Sequence, residues 1–271
     1  MPTNPYHQIE SGGAGRVGWR IHYFHNVAST QRVAAEMADE GAAQGTVVIA
    51  ELQTAGRGRM GRAWHSPAGV NLYTTIILRP SMPLAEVPRL SLVAGVAAAE
   101  ALETVAPGIV ALKWPNDVWL NGRKAGGIIA EAVTDAKQRL KCVLLGIGLN
   151  LNLASGDVPD DLRDKATSVR IATGRACDRI EFAATLFNRL HSRYMEVEAD
   201  GFAAVRPAWE RYSALTGRRV TVIDGDARDV RITRIVGVVR GIDSDGALLL
   251  DTDVGPQRIL TGDVSIEGAY D

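Results

Sequence analysis

The sequence predicts an α+β fold: a larger region of strands and helices, followed by a small five-stranded β-barrel. Three observations carry this expectation. Short apolar and β-branched runs recur between Trp19 and Leu149, helical periodicity occupies separate stretches among and after them, and from Gly217 onward only short β-rich runs parted by tight turns remain.

Trp19 to His25 alternates as a strand, and Ser29-Thr30 then offers an N-cap to a helix through Ala34, Ala35, Met37 and Ala38. Thr46 to Leu52 and Asn71 to Arg79, rich in β-branched and aromatic residues, read as strands flanking a glycine- and arginine-rich loop. Arg89 to Leu102 is a strongly apolar helix, too short for a membrane span, whose alanines and glycine suit close packing on a sheet. Ile109 to Lys113 and Asp117 to Leu120 are strand-like, Asn121-Gly122 is a hairpin turn signal, and Gly127 to Val133 is the returning arm. Arg139 to Leu149 is a further apolar strand. After a polar, Asp-rich stretch come helices over about Ile180 to Ala199 and Phe202 to Leu215, the first opened by Asp178 with Glu181 three residues on. The barrel runs are Arg219 to Ile223, Val230 to Val239, Leu248 to Leu250 and Arg258 to Leu260, with turns at Asp224-Gly225, Asp245-Gly246 and Gly262-Asp263. The expected division is a flexible tail over 1–18, a main unit over 19–216 and the barrel over 217–271.

Thirty Lys and Arg against 31 Asp and Glu leave a net charge of -1 on 271 residues, which gives no electrostatic support for a general nucleic-acid or membrane-surface role. Cys142 and Cys177 make no disulfide framework and match no zinc spacing, which suits a reducing cytoplasm. The first 18 residues are polar and lack the apolar segment of a signal peptide.

Charge is instead focused. Gly56-Arg57-Gly58-Arg59-Met60-Gly61-Arg62 places three arginines among three glycines, and no Asp or Glu occurs from Leu52 to Ala85. Glycine lets backbone close around a bound group, and guanidinium forks donate to phosphate or carboxylate oxygens. The same letters spell a dinucleotide-binding glycine pattern, but Arg62-Ala-Trp-His-Ser-Pro-Ala-Gly69 is turn chemistry where that motif requires a helix. A solvated arginine loop without ligand is the competing reading. Lys113-Trp114-Pro115-Asn116-Asp117 follows one hairpin before Arg123-Lys124-Ala125-Gly126-Gly127. Trp-Pro is expected to hold an extended, rigid backbone, Asn116 and Asp117 offer groups suited to a ribose hydroxyl or Mg²⁺, and Lys113 and Lys124 add point charges. Each lysine alone also reads as a solvated surface residue, and Asp117 alone as a turn or cap.

Gln53 to Trp64, Lys113 to Asp117 with Lys124 and Gly127, and Gly146-Ile-Gly-Leu-Asn150, in this order, resemble the signature segments of biotin protein ligases, and the resemblance extends from about Trp19 to the barrel. It implies a mixed-sheet catalytic domain related to class II synthetases and lipoyl ligases, followed by an SH3-like domain. It further implies a two-step reaction: biotin and MgATP form biotinyl-5′-AMP, and a lysine of a biotin carboxyl carrier domain then takes the biotin. By this resemblance Ser29, Thr30, Gln53, Gly56, Arg57, Lys124 and Gly127 line the biotin pocket. Arg59, Arg62, Trp64, Lys113, Asn116, Asp117 and Asn150 serve the nucleotide, with Asp117 toward metal and Lys124, Arg57 and Arg59 catalytic. Helix capping competes for Ser29 and Thr30, a core aromatic for Trp64, and a strand end for Asn150. The arginine loop is expected to be mobile when empty and ordered by the adenylate.

The residues before Trp19 are too few and too polar for the helix-turn-helix that some relatives carry, so a monofunctional type without DNA binding is expected, cytoplasmic, with a homodimer open. Gly126 stands where relatives often have alanine, a change expected to touch hairpin flexibility alone. A lipoate or octanoate ligase of related fold, and a non-catalytic biotin or nucleotide sensor, are the rivals.

Overall fold

The structure, a computed structural model, describes residues 4–9, 18–224 and 233–266. The expected turn at Asp224-Gly225 and the start of the Val230 run reach into residues 225–232, outside the described residues.

β1 (Arg20–Val27), β2 (Thr46–Gln53), β3 (Leu72–Leu78), β4 (Val110–Lys113), β5 (Asp117–Leu120), β6 (Arg123–Thr134) and β7 (Leu140–Leu149) form one sheet in the order β1-β2-β3-β7-β6-β5-β4. β1 and β2 run parallel while the other neighbours are antiparallel, so the sheet is mixed. A parallel pair needs a crossover, and α1 (Thr30–Asp39) supplies it. Ser29 caps that helix, its side chain accepting from Gln31 N. The α1 face carrying Ala34 and Ala38 packs on Val48, Ile77 and Leu144.

The other sheet face is covered by α2 (Arg89–Leu102), α4 (Arg179–Asp200) and α5 (Phe202–Arg211), with α3 (Val169–Thr173) preceding the latter two. Leu90, Val93 and Val96 of α2 join Phe187 and Leu190 of α4 and Trp209 of α5 against Ile76, Leu145 and Ile147 in the main core. No helix among the described residues is long and apolar enough to cross a membrane.

Three expectations are corrected. Residues 4–9 are anchored where a flexible tail was expected: Tyr6 is buried against Tyr23, with ring centroids 5.9 Å apart. The gain from burying an aromatic ring outweighs the entropy of a short polar segment. α5 ends at Arg211, not near Leu215, because the next residues pair with the outer edge of β4: Leu112 N donates to Tyr212 O at 2.7 Å and Ala214 N to Leu112 O at 2.8 Å. Trp114-Pro115 is not extended; a cis peptide bond sits in the three-residue turn joining β4 to β5. α3 was not foreseen because five residues are too few to show a period, although Ser168 caps it and Gly174 ends it at φ 74°.

After α5, β8 (Arg219–Asp224), β9 (Thr233–Ile242), β10 (Leu248–Thr252), β11 (Gly255–Ile259) and β12 (Asp263–Ile266) form a second, five-stranded antiparallel sheet, the small SH3-like unit, in the order β11-β10-β9-β8-β12. The Asp245-Gly246 turn docks on the first sheet's hairpin, Trp114 Nε1 donating to Gly246 O at 3.0 Å.

Candidate functional site

Strand register builds the site. The pairs Tyr73↔Gly148, Gly148↔Gly127, Gly127↔Asp117 and Asp117↔Lys113 lie in one row across four neighbouring strand pairs, so their side chains share a face. A bulge opposite Val118 and Trp119 resets the alternation of β6, which pairs Lys124 with Trp119 on that same face. Thr75 and Gly146 occupy the next row. This is also the face that α1 covers at its other end, so the N-terminus of α1 looks along the row.

A cavity of about 560 Å³ lies there, within the usual range for small-molecule sites. Ser29, Thr30, Gln53, Arg57, Arg59, Arg62, Trp64, Lys113, Asn116, Asp117, Lys124, Gly127 and Asn150 all line it. Gly56 does not. A Cβ on Gly56 would meet Ser66 Oγ and Trp64 O at 2.6 Å, so this glycine lets the base of the arginine loop close, with Trp64 N donating to Gly56 O at 2.9 Å.

At one end the polar groups are tightly ordered. Thr30 N and Oγ1 donate to Gln53 Oε1 at 2.9 and 3.1 Å, and Gln53 Nε2 donates to Ser66 Oγ at 3.0 Å. The Thr75 hydroxyl lies 2.9 Å from Thr30 Oγ1 and 2.8 Å from Gln31 Oε1. Gln31 and Thr75 were missed in the sequence. Their signal was faint: a polar residue directly after the cap pair, and a threonine in mid-strand.

The glycines of Gly146-Ile147-Gly148 leave room for neighbours. A Cβ on Gly146 would stand 2.8 Å from Gln31 Oε1, and one on Gly148 would stand 2.8 Å from Trp64 Nε1. Trp64 therefore lies flat against β6 and β7, with Gly127 also beneath it. Its Nε1 and that of Trp119 are buried donors with no hydrogen-bond partner among the described residues, and both tryptophans line the cavity. Gly126 is likewise a packing residue, since an added Cβ would run into Leu149 Cδ2 and approach Gly148 O at 2.9 Å. The expectation that it affects hairpin flexibility alone is corrected.

At the other end the cations gather. Lys124 Nζ sits 2.5 Å from Asp117 Oδ1 and 5.7 Å from the Trp64 ring centre. Lys113 Nζ lies 5.3 Å from the Trp119 ring centre. Burial holds the Lys113 ammonium below the ordinary lysine range, opposed by Asp117 and reinforced by Lys124 and Arg62. The backbone of Lys124 is clamped on its free side by the segment before α3: Lys124 N donates to Lys165 O at 2.9 Å and Thr167 N to Lys124 O at 2.8 Å. Asn150 spends its amide on structure, donating to Thr167 O at 3.0 Å and accepting from Asn71 Nδ2 at 3.2 Å. Leu153, Val158 and Leu162, from the stretch read as merely polar, form an apolar wall.

Arg59 and Arg62 reach the second sheet. Arg59 Nη1 donates to Gly262 O at 2.9 Å and Nη2 to Thr261 Oγ1 at 3.0 Å, while Arg62 is ion-paired with Asp263. Asp263 lay beyond sequence reasoning because 201 residues separate it from Arg62. Among the described residues no group of three or more His, Cys, Asp or Glu side chains is placed to hold a metal. Asp117 and Asp263 are the acids lining the cavity among the described residues. Such a set fits Mg²⁺ carried in by a polyphosphate, which needs one or two carboxylates, and not a resident metal.

Residues 23–150 match the Biotin/lipoate A/B protein ligase family, and residues 216–266 match the Biotin protein ligase C terminal domain. The chain is 38% identical over 250 residues to the bifunctional ligase/repressor BirA of Bacillus spizizenii, covering 92% of this chain and 75% of that protein. The chain belongs to the biotin protein ligase family. Biotin--[acetyl-CoA-carboxylase] ligases are similar too: that of Mycobacterium tuberculosis is 34% identical over 258 residues, with 93% of this chain and 91% of the relative covered. Among solved biotin protein ligases, the Aquifex aeolicus enzyme in complex with biotin and ATP superposes with a TM-score of 0.78 at 29% identity, covering 92% of this chain and 98% of its own. The Leishmania major ligase in complex with biotinyl-5-AMP superposes with a TM-score of 0.57 at 27% identity, covering 89% and 98%.

Proposed function

We propose that this cavity joins biotin to ATP as biotinyl-5′-AMP and then delivers the biotin to a lysine of a biotin carboxyl carrier domain. One observation carries the reading: the arginine loop, the Lys113–Asp117 hairpin and Lys124 line the same cavity as the ordered Thr30–Gln53 end, so a polar head and a polyphosphate fit side by side. In the first step a biotin carboxylate oxygen bonds to the α-phosphorus as the bond to pyrophosphate breaks. In the second the lysine amine attacks the acyl carbon, AMP leaves, and the nitrogen loses a proton.

Both substrates are anions, and their repulsion is the obstacle. Arg57, Lys113 and Lys124 line this cavity, where they offset the charge that accumulates as carboxylate and phosphate approach. Lys124, already held by Asp117 and by its backbone clamp, is the catalytic cation, with Arg57 and Arg59 beside it. Ser29, Thr30, Gln53 and Gly127 hold biotin, with Gly56 shaping the loop's base. Trp64 stacks on adenine, and Arg62, Lys113 and Asn116 serve the nucleotide, while Asn150, expected there too, has its amide engaged by Thr167 and Asn71 and braces the cavity wall instead. Mg²⁺ entering with ATP would meet Asp117 and offset phosphate charge there. No side-chain nucleophile is required, because the mixed anhydride is itself the activated acyl group.

Residues 19–216 would form the catalytic unit and 217–271 the second. A cytoplasmic location agrees with two buried cysteines, whose thiols burial raises, Cys177 to about 11. For a homodimer, β1 is the edge strand of the first sheet that the residues after α5 do not border.

Purified protein is expected to exchange labelled pyrophosphate into ATP only when biotin is present, and to biotinylate a carrier domain. Exchange with lipoate and none with biotin would favour a lipoate ligase; biotin binding without exchange would favour a sensor.

A further inference from the structure

The ordered end of the cavity has a direction as well as a geometry, and two side-chain amides set it. An amide oxygen only accepts hydrogen bonds and an amide nitrogen only donates them, whereas a hydroxyl has one proton to give and lone pairs to receive. Gln31 Nε2 donates to Leu144 O at 3.2 Å and to Glu131 Oε2 at 3.0 Å, and a carbonyl and a carboxylate are both acceptors. Gln31 Oε1 is thereby turned toward Thr75, whose hydroxyl gives it its proton at 2.8 Å. Gly146 makes room for this amide: a Cβ there would stand 2.8 Å from Gln31 Oε1 and 3.2 Å from Gln31 Cδ. On the other side Thr30 N, which can only donate, turns Gln53 Oε1 toward Thr30 Oγ1. The Thr30 proton then goes to Gln53 Oε1 at 3.1 Å or to Thr75 Oγ1 at 2.9 Å, and in both cases it is spent inside the protein. Gln31 and Thr75 are buried, and with Thr30 and Gln53 they line the cavity.

We propose that Gln31 is a positioning residue that sets the hydrogen-bond polarity of this end of the cavity. With its oxygen fixed toward Thr75, the Thr30 and Thr75 hydroxyls offer the cavity lone pairs and no proton, so the ligand group seated there must bring N–H donors. This rests on the reading of the cavity as a biotin and ATP site, and it names what the end selects: the cyclic urea of biotin carries N–H groups, whereas the dithiolane ring of lipoate carries none. Without the Gln31 oxygen, the Thr75 proton is free to turn to Thr30 Oγ1 and occupy the lone pair that a ligand N–H would use. The loss is that of one buried hydrogen bond, and it falls on biotin and not on ATP.

The test uses the full chain with Gln31→Met, Thr75→Val and Thr75→Ser. The methionine and valine variants keep the shape of the parent side chains and are expected to raise the KM for biotin by about five- to tenfold, with the KM for ATP within about twofold of the parent. The serine variant keeps the hydroxyl and is expected to stay close to the parent in both. Calorimetric titration without ATP adds a readout that packing alone would not give. Desthiobiotin keeps the urea and lacks the thioether ring, so the methionine and valine variants should weaken it by the same factor as biotin. Weakened biotin with unchanged desthiobiotin would overturn the proposal, because Gln31 and Thr75 would then only pack on the thioether ring. An equal rise in both KM values would overturn it as well. A parent that binds biotin, with methionine and valine variants that bind it as tightly, would overturn the proposal alone; a parent that binds no biotin would overturn the reading of the cavity and the proposal with it. Thr75→Val decides the question should Gln31→Met fold poorly.

Discussion

Lys124 and Lys113 stand within one hairpin region yet differ in environment, and the difference sets what each can do. Lys124 is half-exposed, paired to Asp117 and fixed through its backbone, so its ammonium is positioned before substrate arrives. Lys124→Ala is expected to lower adenylate formation at least about a hundredfold, the scale seen when one preorganised donor to a developing charge is lost. Its thermal midpoint should stay close to that of the parent; pyrophosphate exchange and a melting curve check both halves. Lys113 is more deeply buried, and its ammonium is disfavoured by that burial. Phosphate beside it would favour the charged form and raise its pKa, so nucleotide binding in the alkaline range should take up protons. Calorimetry in buffers of different ionisation enthalpy measures this. No uptake, or a release, would place the phosphates away from Lys113.

The decisive elements are the two central strands β6 and β7, whose glycines give the site its floor. Gly127, Gly146 and Gly148 carry no side chain on the face where Trp64 and Gln31 lie, and a methyl group at 148 would require the indole to shift. Gly148→Ala is expected to raise the KM for ATP by about tenfold, equivalent to about 1.4 kcal/mol, with little effect on the far-UV spectrum. An unaltered KM would mean that Trp64 does not touch the nucleotide. The hairpin turn at Asn121-Gly122, with φ of 47° and 76°, fixes the β5–β6 register. The bulge that follows turns Lys124 to the face of Asp117 and Trp119.

The whole molecule is closed on its far side by residues distant in sequence. Arg179 at the start of α4 donates to Glu51 of β2 at 2.9 Å, and Tyr23 OH donates to the same carboxylate at 3.0 Å, with Tyr6 packed beside them. Burial, the largest cause for each, pushes the Tyr6 and Tyr23 phenols up to about 12 from 10.0. Their contribution to stability is complete below pH 10 and is lost as pH rises to 12, because the unfolded chain ionises its phenols before the folded one does. Urea midpoints should fall across that window, and Tyr6→Phe should reduce the fall; an identical decline in the variant would take Tyr6 out of the account.

Local chemistry was legible without coordinates. The arginine loop, the Lys113–Asp117 turn, Lys124 and the Ser29 cap depend on residues a few positions apart, and alternation with turn signals located the strands of the first sheet because both are short-range effects. The second sheet declared itself by its change of texture. What alternation cannot say is which strands become neighbours, and that assignment alone put Tyr73, Gly148, Gly127, Asp117 and Lys113 in one row. It also hid the structural duty of Asn150, the buried place of Tyr6 and the neighbours of Gly56, each set by partners far along the chain or by steric room that letters do not show. The sequence by itself determined the family, the composition of the site and its positive charge. Tertiary structure decided that Asp263 answers that charge, because a contact across 201 residues is created by the docking of two sheets and leaves no periodic trace in either segment.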